Sequence, residues 1–148
     1  MVRTPWYAKM GVVPCHLEYQ QCSMEEAVEK IAEKYPKLTA YNFLGTNTKY
    51  PDLVKEIRAC AAALKACGVR PGEKVTICLP NMPMAIAMFY GVNMIGAIAN
   101  MIHPLSAEGE IEFYLNDSES VAAITVDMFY QKFANIRRNT PKLKTMIV

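Results

Sequence analysis

Apolar residues recur along the chain at two spacings, every third or fourth position in some stretches and consecutively in others, and the two kinds alternate. Ala27, Val28, Ile31, Ala32 and Tyr35 repeat at helical spacing behind Ser23, with Glu26 three positions on as in a capping box, until Pro36 stops the run. This predicts a helix over residues 24–35. Residues 40–44 and 47–50, on either side of Gly45-Thr46, predict a short hairpin. Pro51 then falls in the first turn of a second helix, with Leu53, Ile57, Cys60, Ala61, Leu64 and Cys67 on one face and Gly68 as its stop.

Past the turn at residues 70–73, the compact apolar run 75–79 predicts a strand, and a helix follows from Pro83 to its close at Gly96. Residues 97–102 predict a second buried strand. Ser106 is the expected cap of a helix carrying Ile111, Tyr114 and Leu115, which ends at Asn116-Asp117-Ser118. Residues 121–126 predict a third core strand, and Phe129, Phe133 and Ile136 mark another helix that Asp127 can cap. Residues 145–148 begin a fourth strand. Strands alternating with helices predict an α/β fold, a mostly parallel sheet with helices on both faces.

Residues 75–107 contain no Asp, Glu, Lys or Arg. The apolar part, residues 82–102, is long enough for a membrane span, but Asn81, Pro83, Asn93, Gly96 and Asn100 interrupt it, and the expectation is a buried helix followed by a strand. Across 148 residues the chain has 16 Lys plus Arg against 14 Asp plus Glu, a formal charge of +2, and no basic block longer than Arg137-Arg138. That balance gives no field for gathering nucleic acid or anionic lipid. The apolar share, 52%, is enough to build a core without disulfides or metals.

Five cysteines, Cys15, Cys22, Cys60, Cys67 and Cys78, with Arg3, Pro5 and Lys9 where a leader would be apolar, point to a reducing, cytoplasmic setting. Cys15-His16 with Cys22 lacks the two-residue spacing of zinc sites. Cys60 and Cys67, two helical turns apart, are expected to pack together on one face. No phosphate loop, dinucleotide fingerprint, nucleophile elbow or H-E-x-x-H motif occurs. His16 and His103 are the only histidines; His103 follows a predicted strand, where open α/β sheets bind ligands, and Asp127 ends another. Without a placed nucleophile neither defines a reaction: His103 reads first as a loop residue bonded to backbone, and Asp127 at least as well as a cap.

Four segments, TKYPDL at 48–53, AAALKACGVRPGEKVTICLPNMP at 61–83, IGAIANMIHPLSAE at 95–108 and FYLNDSES at 113–120, together resemble the adenylate-forming AMP-dependent synthetase and ligase superfamily, and within it an acyl-CoA synthetase. The resemblance spans residues 24–127. Lys49 stands where many relatives have Thr or Ser, removing a helix-capping oxygen, and His103 replaces the common Asn before Pro104. The helix after Ser106 reads one residue longer than usual. Leu105-Ser106-Ala107-Glu108 lacks the Tyr-Pro step of amino-acid adenylation domains, which favours a CoA ligase over that branch.

The resemblance implies residues 1–23 as an extended arm and 24–148 as the N-terminal segment of the AMP-binding domain, incomplete at its C-terminus. It implies an enzyme that uses ATP, Mg²⁺ and CoA on a carboxylic acid, a fatty or other apolar acid by family habit. The family's Ser/Thr/Gly-rich phosphate loop with its Lys falls outside this sequence, so no catalytic, cofactor-binding or metal residue is assigned, and the segment itself is expected to be inactive scaffold. Thr145 to Val148 ends the sequence inside an apolar run. The expectation is therefore a fragment with an open sheet that self-associates through exposed apolar surface. A non-catalytic Rossmann-like interaction module is the alternative, and a membrane-anchored protein the third.

Overall fold

The computed structural model describes residues 17–148. Ser23 Oγ accepts from the Glu26 amide while Glu26 Oε2 accepts from the Ser23 amide, so the predicted capping box opens α1, Met24–Lys34. Val28 and Ala32 are buried, but Ile31 and Tyr35 of the expected apolar face stay exposed. The face turned inward is narrower than the sequence repeat because α1 packs on two helices and not on the sheet.

The hairpin pairs β1, Thr39–Phe43, with β2, Thr46–Lys49, and its loop is Leu44-Gly45, one residue earlier than the predicted turn. Both loop residues have positive φ, 49° and 86°, as a two-residue loop matching the strand twist requires. Tyr50, expected to end the second strand, instead opens α2, Tyr50–Ala66, with Pro51 in the first turn. Lys49 precedes it without a side-chain cap, as its lack of a hydroxyl foretold. Cys60 is buried whereas Cys67 is exposed. The expected shared buried face is not reached at Cys67, which is already the helix cap; Gly68 leaves at φ +85° and the chain turns Val69 into the core instead.

The sheet order is β4-β3-β5-β6, all parallel, from β3 at Lys74–Cys78, β4 at Ile98–Met101, β5 at Ala122–Thr125 and β6 at Thr145–Ile147. The helices between them are α3, Pro83–Met94; α4, Glu108–Asp117; and α5, Asp127–Ile136, which runs into a short 3-10 turn at Arg137–Asn139. Alternation along the strands divides the core. Val75, Ile77, Ala122 and Ile124 face α2 and α3, together with Leu64, Ala87, Met88, Val92 and Ile95. Cys78 and Ala123 face the other way, onto Ile111, Leu115, Phe133, Ile136 and Leu143. Helices therefore cover both faces, as the alternation implied.

Residues 82–102 form a twelve-residue helix, a left-handed turn at Gly96 (φ +74°) and a strand, and no helix among the described residues is long and apolar enough to cross a membrane. The strand differs from expectation in one respect. β4 is an edge, not a buried strand: Ile98 and Met101 are each 51% exposed. Its apolar sequence reflects one covered face, since Ala99 packs into the core beneath α3.

Candidate functional site

Connections from β3 lead to one side of the sheet and those from β5 to the other, so the order β4-β3-β5-β6 reverses between β3 and β5. Outside the carboxyl ends of strands at such a reversal, open α/β sheets bind their ligands. Here that edge is made by Leu79-Pro80-Asn81 after β3, Ile102-His103-Pro104 after β4 and Val126-Asp127 after β5.

Several polar groups at this edge bond to the protein itself. Thr125 Oγ1 donates to the Cys78 carbonyl at 3.2 Å, tying the ends of β5 and β3 together. His103 is exposed, and its Nδ1 accepts the Leu105 amide at 3.2 Å. It serves as a turn residue bonded to backbone. Asp127 is the first residue of α5 and Val126 its N-cap, so the expected capping role is corrected: Asp127 Oδ1 accepts from the adjacent Met128 amide at 2.8 Å. Ser106 likewise does not cap α4. The helix begins at Glu108 with Ala107 as N-cap, and the Ala107 amide donates to Glu110 Oε2 at 2.9 Å. Ser106 is instead held in the loop, its carbonyl accepting from Lys132 Nζ at 2.8 Å.

Beneath the sheet's second face lies a polar cluster whose members are spread over three of the four segments that carry the family resemblance. Asn100 Nδ2 donates to Thr76 Oγ1 at 3.0 Å and to Ser118 Oγ at 3.1 Å, and Thr76 Oγ1 donates to Ser120 Oγ at 2.7 Å. The cluster joins β3, β4 and the end of α4, and its members come from residues 76 to 120, too far apart to be grouped without the fold. It is self-satisfied. No buried side-chain nitrogen or oxygen among the described residues lacks a partner.

Burial is the main cause raising the Cys60 and Cys78 thiols above their ordinary value; Glu56 adds to it at Cys60, while Lys132 and Thr125 oppose it at Cys78. Both remain protonated near neutrality and neither is an activated nucleophile. Among the described residues no group of three or more His, Cys, Asp or Glu is placed to hold a metal; Cys15 and His16 lie outside them, and Cys22 is left with only a 3.9 Å contact to Gln20 Oε1. At the carboxyl end of β3, where a phosphate would meet the helix N-terminus, Met82 caps α3 without a side-chain bond and Pro83 removes an amide.

Beside β4 an apolar groove of about 540 Å³ runs between the hairpin and α3, its lining including Tyr41, Phe43, Asn81, Ile86, Phe89 and Met101. Tyr41 on its wall donates to Glu56 Oε2 at 2.9 Å, fastening the hairpin to α2.

A family model for AMP-binding enzymes matches residues 28–148. A long-chain-fatty-acid–CoA ligase of Bacillus subtilis (strain 168) is 30% identical over 129 residues, 86% of this chain and 23% of its own length. A 3-oxocholest-4-en-26-oate–CoA ligase of Rhodococcus rhodochrous is 29% identical over 126 residues, again 23% of its length. Among solved structures, the N-terminal domain of FACL13 from Mycobacterium tuberculosis superposes with a TM-score of 0.81 at 25% identity, covering 86% of this chain and 34% of that one. The chain thus spans about a quarter of the length of the curated relatives it matches.

Proposed function

Because the chain belongs to the AMP-binding enzyme family, we propose that it is the opening segment of an AMP-forming acyl-CoA ligase, residues 24–148 belonging to the large N-terminal domain and 1–23 to an arm before it. The whole protein activates a carboxylic acid with ATP as acyl-AMP, releasing pyrophosphate, and passes the acyl group to the CoA thiol; Mg²⁺ neutralises the phosphates. A fatty or other apolar acid is the substrate class, a reading supported by the names of the relatives. The match over residues 28–148, which takes in every strand of the parallel sheet, carries this proposal.

Within that protein the segment is scaffold. Thr125, His103 and Asp127 near the strand ends bond to the protein's own backbone, which supports this role. A cytoplasmic setting belongs to the same reading, supported by the odd number of cysteines.

Acid-dependent exchange of pyrophosphate into ATP, with a panel of fatty and aryl acids, tests both halves. The 148-residue chain should give no exchange above a no-protein control, since positioning and electrostatic donors supply most of phosphoryl-transfer catalysis. Exchange by the chain alone overturns the scaffold role. The coding sequence beyond Val148 tests the ligase: a Ser/Thr/Gly-rich loop with Lys soon after it supports the assignment, and a stop codon there transfers it to the interaction module. Sedimentation of the chain should show self-association through the sheet left open at Thr145–Ile147, and a clean monomer would count against that part.

A further inference from the structure

The loop from β4 to α4 leaves the ligand-binding edge of the sheet with little apolar anchorage of its own: His103 and Leu105 are exposed and Pro104 is half-buried. It is held instead from beneath, by donors on two other elements. The Lys132 ammonium on α5 donates to the Ser106 carbonyl at 2.8 Å and lies 3.5 Å from the Pro104 carbonyl. The Cys78 thiol at the end of β3 lies 3.9 Å from the His103 carbonyl. Below the ammonium, the Phe129 ring centroid is 5.5 Å away, so the cation sits between carbonyl dipoles and an aromatic face. No carboxylate pairs with Lys132 among the described ion pairs. A second clamp runs from Asn135 Nδ2 to Glu108 Oε1 at 2.8 Å.

The geometry points to Lys132 as a cationic strap that sets the conformation of residues 103–107, and through them the place of His103 at the carboxyl edge. The bonds within the loop, the Leu105 amide to His103 Nδ1 and the Ser106 amide to the His103 carbonyl at 3.1 Å, span only two or three residues. Turns so short do not persist without a tertiary hold. A charge-assisted bond from a half-buried ammonium supplies it, and a neutral side chain of similar length cannot draw two carbonyls together. The strap belongs to the fold and holds whichever reaction the longer protein performs.

Amide hydrogen exchange on the chain, resolved by residue, tests it with Lys132→Met and Lys132→Arg. In Lys132→Met the Leu105 and Ser106 amides should exchange about tenfold faster or more, with the Ile77 and Ala123 amides of the sheet unchanged, the signature of local opening. Lys132→Arg, which keeps a cationic donor, should restore most of the protection. Unchanged exchange at Leu105 and Ser106 in Lys132→Met overturns the strap. So does acceleration spread equally over the sheet, or a Lys132→Met chain that fails to fold, because Lys132 would then support the whole fold and not the loop. Failure of Lys132→Arg to restore protection overturns it as well.

Discussion

Replacing Gly91 by Ala should destabilise the protein even though Ala is the better helix former. Gly91 is buried in the middle of α3, and a Cβ built there would stand 2.9 Å from Cys60 Cβ, 3.1 Å from the Ala61 nitrogen and 3.3 Å from the Ile57 carbonyl oxygen, all on α2. These atoms belong to the backbone or are fixed to it, so no rotamer change relieves the approach. Comfortable carbon–carbon contact lies at about 3.5–4.0 Å, and the two helices would have to part by roughly 0.6 Å or more. A gap of that size forfeits about a quarter to a half of the dispersion well for each atom pair along the seam, and here the seam carries Cys60, Ala61, Leu64, Ala87, Met88 and Val92. Helix propensity returns about 1 kcal/mol, whereas overpacking a filled core costs about 1–3 kcal/mol. The expected net is a loss of up to about 2 kcal/mol. Gly109→Ala is the control: it lies in the first turn of α4, at ordinary φ, with nothing within 4 Å of the added carbon, and should gain a few tenths of a kcal/mol up to about 1. Urea midpoints of both variants and the parent chain, at constant m-value, decide the matter. A rise in midpoint for Gly91→Ala equal to that of Gly109→Ala would refute the close helix approach.

Other substitutions probe the turns and the buried thiols. Leu44 is 89% exposed and held at φ +49°, so Leu44→Asn, a residue that tolerates the left-handed region, should raise stability by about 1 kcal/mol; no gain in the thermal midpoint would mean the hairpin loop differs from that described. Gly96→Ala meets both a φ of +74° and Pro71 Cβ at 3.3 Å, and a cost of about 1–2 kcal/mol is expected in urea; a neutral result would remove the left-handed stop after α3. The Cys60 and Cys78 thiols, raised by burial in the folded state, favour the fold below the ordinary thiol value of 9.0 and withdraw that support as pH climbs toward their folded values. Stability should accordingly fall above that pH, and less so in the Cys60→Ala/Cys78→Ala double variant; identical pH profiles for the two proteins would show that the thiols carry none of the effect.

The pattern of residues along this chain was enough to determine the elements and their order, because each element's local chemistry agrees with its place. Ser23 and Glu26 close a box whatever packs above them, Gly68 and Gly96 stop helices because only glycine takes their φ without strain, and a charge-free run broken by Pro83 and Gly96 has to become helix, turn and strand. The parallel sheet followed from alternation, and four spaced segments carried the family. What only the tertiary structure decided depends on which elements become neighbours. Apolar content did not reveal that β4 is the edge, since a strand covered on one face reads much like a buried one. Ser106 and Asp127 have capping chemistry, but the helices start at Glu108 and Asp127, with Ala107 and Val126 in the cap positions. The Thr76–Asn100–Ser118–Ser120 cluster and the Lys132 strap join residues 18 to 44 positions apart, with no periodicity to announce them. Local sequence encodes propensity and period, but it does not encode the long-range distances at which donors and acceptors finally meet.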